Sequence, residues 1–126
     1  LKSVLLIDDS KFSCKREGEM IQNFHSGVDV TLAYLPSDAI RLIRDEGKIF
    51  DLIFLDFNMP EMNGLQLLDE LKDHVDLAKV ILLTATSAFA TKSQTLPEGV
   101  RLIQKPLSIE KLEATLGKDE LQEQAS

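Results

Sequence analysis

The sequence predicts a single α/β domain, a doubly wound, five-stranded parallel sheet of the (βα)5 kind. Three observations predict it. Short apolar runs recur at residues 4–7, 52–55 and 80–83, with a mixed run at 100–103 and an alternating one at 28–34. Segments with helical spacing of apolar residues separate them. Such alternation of strands and helices yields a parallel sheet covered on both faces, with right-handed crossovers. At 126 residues the chain is long enough for one such core.

Val4, Leu5, Leu6 and Ile7 open the chain as a strand buried on both faces. The spacing then predicts a helix over 10–24, with Phe12, Met20, Ile21 and Phe24 on one side and Lys15, Arg16, Glu17 and Glu19 elsewhere; Gly18 weakens it. Val28, Val30, Leu32 and Tyr34 alternate, as in a strand with one covered face. Ser37, after Pro36, is a candidate cap for a helix carrying Ala39, Ile40 and Ile43 that stops near Gly47. The run Leu52-Ile53-Phe54-Leu55 reads as the central strand and ends on Asp56. Asn63 precedes a helix with Leu65, Leu68 and Leu71 on one face. Ser108 is placed to cap a last helix with Ile109, Leu112 and Leu116, which frays or breaks at Gly117. Residues 87–99 support only a short, poorly formed helix. Residues 118–126 read as an acidic, polar extension or linker, so the domain itself is expected over 1–117.

Composition narrows the function. The chain is 44% hydrophobic and 28% charged, as globular domains are, and its formal net charge of −7 argues against direct nucleic-acid binding. No apolar run reaches the ~20 residues that span a membrane. Cys14 is the one cysteine, which precludes an internal disulfide and suits a reducing compartment. Lys118-Asp119-Glu120-Leu121 spells a retention signal, but five residues follow it and such signals are read at the extreme C-terminus.

In open parallel sheets ligands bind at the carboxyl ends of the strands. There the sequence places Asp8 and Asp9 after the first strand, Asp56 after the third, Thr84 after the fourth and Lys105 after the fifth. Each has a bland reading alone: Asp9 as a helix cap, Thr84 as a strand end, Lys105 as a solvated lysine. Together, three carboxylates at one edge repel one another and call for a compensating cation. Lys105 supplies one charge, and a hard divalent cation such as Mg²⁺ prefers carboxylate and carbonyl oxygens. A dinucleotide or phosphate-cradling loop wants glycines after the first strand, and Ile7-Asp8-Asp9-Ser10-Lys11-Phe12 has none. His25, His74 and Cys14 lie apart from this set and do not form a zinc site.

These residues resemble the receiver domain of two-component response regulators, the CheY-like family. The resemblance rests on Asp8-Asp9-Ser10, on Asp56-Phe57-Asn58-Met59-Pro60 with Asn63-Gly64, on Thr84-Ala85 and on Lys105-Pro106, and spans the chain to about Gly117. It implies strand order 2-1-3-4-5 and a cytoplasmic phosphorylation switch that is a signalling module, not an enzyme proper. Asp56 would accept a phosphoryl group from a phosphohistidine on a sensor kinase or histidine phosphotransfer domain. Asp8, Asp9, Asp56 and the backbone carbonyl of Asn58 would hold Mg²⁺ or Mn²⁺. Lys105 would pair with Asp56 at rest and with the phosphoryl oxygens afterwards, and Thr84 would donate its hydroxyl to them. The resemblance also implies a cis peptide at Lys105-Pro106.

Two departures stand out. Leu102 occupies a position where many members carry an aromatic readout residue, and residues 87–99 lack the usual alanine-rich helix of the output face. Asn58 and Thr86 match positions that tune phosphoryl lifetime in the family. The departures motivate an alternative, a receiver-like interaction domain that works without phosphate. A third reading, an aspartate-nucleophile phosphatase, typically has two acids one residue apart after the first strand; here Asp8 and Asp9 are adjacent and Ser10 follows.

Overall fold

The apolar runs become strands because a parallel sheet covered on both faces removes every side chain of such a run from water. A computed structural model describes residues 2–85 and 96–122, the side chains of 118–122 excepted. It contains β1 (Ser3–Ile7), α1 (Lys11–Phe24), β2 (Asp29–Ala33) and α2 (Pro36–Ile40), which runs into a π-helical turn (Arg41–Asp45). Then come β3 (Leu52–Asp56), α3 (Gly64–Leu71), a 3₁₀ turn (Leu77–Lys79), β4 (Val80–Thr84), β5 (Arg101–Gln104) and α4 (Ile109–Gln122). The strands form one parallel sheet in the order β2-β1-β3-β4-β5, as the resemblance implies.

The period-2 alternation of strands divides the core into two layers. Leu5, Ile7, Ile53, Leu55, Val80 and Leu82 face one way and pack with Ala39, Leu42, Ile43 of the α2 region and Leu67, Leu68, Leu71 of α3. Val4, Leu6, Leu52, Phe54, Ile81 and Leu83 face the other way and meet Cys14 and Ile21 of α1 and Leu112 and Leu116 of α4. Burying one such side chain is worth about 1.5–3 kcal/mol. The four on β3 therefore outweigh the cost of ending that strand on a buried carboxyl. β2 lies at the edge of the sheet, which explains its alternating pattern: Val30, Leu32 and Tyr34 are only partly covered.

Helix ends follow local chemistry, with three corrections to the sequence reading. Ser10 caps α1 by accepting from the Ser13 amide at 3.2 Å. The buried face of α1 is Cys14, Glu17, Gly18 and Ile21; Phe12 is 78% exposed and Glu17, expected away from the apolar side, is fully buried. The stripe is set by the turn leaving β1, which points Cys14 inward and Phe12 outward. At α2 the N-cap is Leu35, not Ser37, because Pro36 takes the first helical position, where a missing amide hydrogen costs nothing. Asn63 and Gln66 form a reciprocal capping box on α3. Ser108 accepts from the Lys111 amide at 3.2 Å, capping α4, whose helical geometry breaks at Gly117 (φ 74°). The expected weak helix over 87–99 lies outside the described residues as far as 95, as does Thr86; residues 98 and 99 form a turn leading into β5.

Asp51, unremarked in the sequence, ties the opposite end of the sheet. Its carboxylate accepts from the Lys2 and Ser3 amides at 2.8 and 2.9 Å, and these bonds lower its pKa.

Two glycines should answer oppositely to alanine. A Cβ on Gly18 would sit 3.6 Å from Val30 and Leu32 side-chain atoms, ordinary contact, so Gly18→Ala should stabilise by about 0.5–1 kcal/mol through helix propensity. A Cβ on Gly64 would lie 2.8 Å from Leu82 Cδ1 and 3.0 Å from the Asp56 carbonyl oxygen and Phe57 Cα, so Gly64→Ala should destabilise by roughly 1–3 kcal/mol. Urea melts of both variants test this, and a neutral Gly64→Ala would contradict the close approach.

Candidate functional site

The site is built by extending the ladder of the sheet one residue past the strand ends. The Asp8 amide donates to the Ala33 carbonyl (3.0 Å), the Phe57 amide to Leu83 (2.8 Å) and the Lys105 amide to Thr84 (2.6 Å). The backbones that carry Asp8, Asp56 and Lys105 are thus tied to neighbouring strands independently of any side-chain contact. Asp56 follows Phe54 in the two-residue alternation of β3, and Asp8 follows Leu6 in that of β1. Both carboxylates therefore continue the row that faces α1 and α4. The Gly64 amide bonds the Phe57 carbonyl at 2.7 Å, which seats α3 on the loop after Asp56.

Asp8 and Asp56 are 1% and 5% exposed, and Asp9 is exposed. One carboxylate oxygen from each of the three lies within 4.8 Å of the others. The Lys105 ammonium bridges two of them, 3.1 Å from Asp8 Oδ2 and 3.2 Å from Asp56 Oδ1. Asp8 Oδ1 accepts from the Ser10 amide at 2.9 Å, and Asp56 Oδ1 accepts from the Asn58 amide at a longer 3.4 Å. Thr84 is buried at the end of β4, next to the strand that delivers Lys105. The Lys105-Pro106 peptide is cis. The structure thus brings together Asp8, Asp9, Asp56 and Lys105, and places Thr84 and Asn58 on the adjoining strand end and loop. His25 and His74 lie elsewhere, at the end of α1 and after α3.

Charge at the site is unbalanced. Burial pushes the Asp56 carboxyl up to about 6; Lys105 opposes the shift, and the Asp8 charge adds to it. Burial also acts to lower the Lys105 pKa, but Asp56 and Asp8 outweigh it and the net shift is upward. The two upward shifts differ in origin: burial raises Asp56, while the paired carboxyls raise Lys105 and keep it charged. A divalent cation fits this donor set, being hard, oxygen-seeking and doubly charged. Cys14 packs under the site, its thiol 3.4 Å from the Asp8 carbonyl; burial, then the Asp8 and Glu17 charges, push that thiol up to about 12, so it is not a thiolate at neutral pH.

Sequence reasoning missed Glu17, a fully buried carboxyl on α1 whose pKa is raised by burial to about 7. A signal existed: Glu17 shares the helical stripe of Cys14 and Ile21 at spacings of three and four.

An open parallel sheet of order 2-1-3-4-5 that gathers three carboxylates, a buried threonine and a lysine at its C-terminal edge defines a receiver-type signalling domain. The family model for the response regulator receiver domain matches residues 4–117, and the chain belongs to that family. It is 32% identical over 116 residues to the transcriptional regulatory protein ZraR of Salmonella typhimurium, covering 91% of this chain and 25% of that protein. It is 32% identical over 117 residues to the transcriptional regulatory protein TctD of the same species, covering 92% of this chain and 50% of that protein. The chain thus spans between a quarter and half the length of these relatives. Among solved structures, a two-component response regulator from Cytophaga hutchinsonii superposes with TM-score 0.72 at 26% identity, covering 94% of this chain and 96% of that one. The fold also matches the response regulator TrrA of Thermotoga maritima, solved in complex with Mg²⁺-BeF, with TM-score 0.74 at 22% identity, covering 94% of this chain and 98% of that one.

The burial of the Asp56 carboxyl has a stability consequence. A carboxyl whose folded pKa is raised contributes stability that is full below its unfolded pKa and lost as pH rises through the folded value. For Asp56 that window runs from 3.8 to about 6. Without divalent cations, Asp56→Asn should therefore match wild type near pH 4 and exceed it by roughly 1–2 kcal/mol at pH 7.5. Urea melts at both pH values measure this; a variant less stable than wild type at pH 7.5 would show that the Lys105 pair dominates instead.

Proposed function

We propose that this domain is a phosphorylation-dependent switch of a two-component phosphorelay, in which Asp56 accepts a phosphoryl group from a phosphohistidine. The observation that carries the reading is the bridging of Asp8 and Asp56 by Lys105 within a cluster of three carboxylates. A carboxylate oxygen of Asp56 attacks phosphorus; the O–P bond forms as the P–N bond to the histidine ring breaks, and the ring leaves with the nitrogen lone pair. Such transfer is governed by positioning and charge stabilisation. Asp56 is held in line by the ladder bonds on either side of it. Lys105 follows the charge from the resting carboxylate to the phosphoryl oxygens, and the Thr84 hydroxyl donates to one of them. Asp8, Asp9, Asp56 and the Asn58 carbonyl would hold Mg²⁺ or Mn²⁺. The cation would supply the positive charge that three carboxylates and a phosphoryl group require.

The partner that fits is a histidine kinase or histidine phosphotransfer domain in the cytoplasm. Residues 1–117 form the switch and 118–126 an extension. The output is a separate protein surface or an effector segment, in keeping with the relatives named as transcriptional regulators. The added phosphoryl charge shifts the domain between two populations by contacts present in one of them only. The reading predicts Mg²⁺-dependent labelling by a small phosphodonor such as acetyl phosphate. Asp56→Asn should abolish the label, and Lys105→Ala should leave labelling but weaken the switch. Wild type that stays unlabelled with ample donor and Mg²⁺ overturns it.

Leu102, part-exposed on β5 where an aromatic readout residue is common in the family, favours a second reading, an interaction domain indifferent to phosphate. Equal partner affinity with and without beryllofluoride would favour that reading over the first.

A further inference from the structure

Glu17 is fully buried, and its two oxygens are the buried side-chain polar atoms without a hydrogen-bond partner among the described residues. A buried carboxylate with no partner is costly, and the fold normally avoids it. α1 packs on an apolar core layer on this side. Val30 and Leu32 of β2 pack on the next residue, Gly18, while Leu112 and Leu116 of α4 belong to the same core layer. The nearest cation on its own helix is Arg16, half-exposed, with Nη2 at 3.9 Å from Oε2, beyond a hydrogen bond.

Besides Arg16, the charged groups that act most strongly on Glu17 belong to the site. One turn earlier on the same stripe, Cys14 reaches the Asp8 carbonyl, so this stripe of α1 leads directly to the end of β1. From the strand ends, Lys105, Asp8 and Asp56 each act on Glu17 electrostatically. Glu17 is hydrogen-bonded to none of the three, and it lies eight positions after Asp9 in the sequence. It stands to the cluster as an interior fourth carboxyl, cut off from the solvent that screens Asp9.

We propose that Glu17 is a positioning residue of the phosphoacceptor site: ionised, it adds negative charge to the cluster from inside the fold and strengthens its hold on a divalent cation; protonated, it withdraws that charge. The inference rests on the reading of this cluster as a divalent-cation site. A charge in low-dielectric surroundings acts over several ångströms, and the coupling is reciprocal: the cation must favour ionised Glu17 to the same extent that ionised Glu17 favours the cation. Burial holds the carboxyl largely protonated up to near neutrality, so the exchange falls within the physiological range. Cation binding should then release part of a proton from Glu17 near pH 7.

The test uses the full chain and Mg²⁺ alone. The Glu17 side-chain carboxyl carbon, followed by ¹³C NMR against pH, should titrate near 7 without Mg²⁺ and lower with saturating Mg²⁺. Calorimetry at pH 7 in two buffers of different ionisation heat should show proton release by wild type and markedly less by Glu17→Gln. Wild type and Glu17→Gln should bind Mg²⁺ equally at pH 6, while at pH 8 wild type should bind roughly threefold to tenfold more tightly. An unmoved Glu17 titration, or an affinity ratio constant between pH 6 and 8, overturns the inference and leaves the site reading intact. Failure of wild type to bind Mg²⁺ at any pH overturns both. The wild-type titration needs no variant, and Glu17→Leu, which suits the apolar layer, replaces Glu17→Gln if the amide does not fold.

Discussion

The Lys105 ammonium between Asp8 and Asp56 is the contact on which the functional edge depends. It joins the ends of β1 and β3 to the end of β5, across 97 residues of sequence between Asp8 and Lys105. Without it, two buried carboxylates would face each other in an environment that cannot screen them. The lysine lowers the cost but does not remove it, and the Asp56 carboxyl stays raised, first by burial and then by the Asp8 charge. The resting domain is therefore left short of positive charge at the place where a cation and a phosphoryl group would be handled. Stability is given up locally and recovered in the apolar layers on both sides of the sheet.

Those layers also explain the rigidity of the site. The segments carrying Asp8, Asp56 and Thr84 end buried strands, Lys105 follows the half-covered edge strand β5, and the backbones at Asp8, Phe57 and Lys105 are each held by one further ladder bond. α3 adds a brace, since the close approach of Gly64 to the Asp56 carbonyl leaves no room for a side chain between helix and strand. Asp51 closes the opposite end of the sheet by binding the backbone of β1 to the start of β3. The reactive edge is thus the end of a stiff body.

Much of this was legible in the sequence, for physical reasons. Wholly apolar runs such as Leu52-Ile53-Phe54-Leu55 admit few structures other than a doubly covered strand, and polar residues at their ends are forced to one edge. Asp8, Asp56 and Lys105 could be placed for that reason. The contacts between them could not, because the ammonium reaches two strands at once and register is a tertiary property. α1 was harder. Phe12 looked like core and Glu17 like surface by residue type, yet the turn after β1 rotates the helix so that Cys14 and Glu17 point inward. Hydropathy ranks side chains by their own preference, and here the capped start of the helix overruled it. The cap at Leu35 was hidden likewise, since Pro36 fixes the helix start more firmly than the Ser37 hydroxyl.

The strict alternation within β3 has an evolutionary consequence. Leu52 and Phe54 serve one layer, Ile53 and Leu55 the other, and Asp56 continues the first row. Exchanges among large aliphatic residues along this strand keep that arrangement. Losing or gaining one codon between Leu52 and Asp56 does not, because it swaps both rows at once and turns the carboxylate toward the wrong layer. The lineage of such a domain should accordingly drift in the identity of these side chains while its length here stays frozen, with changes in length confined to the connections.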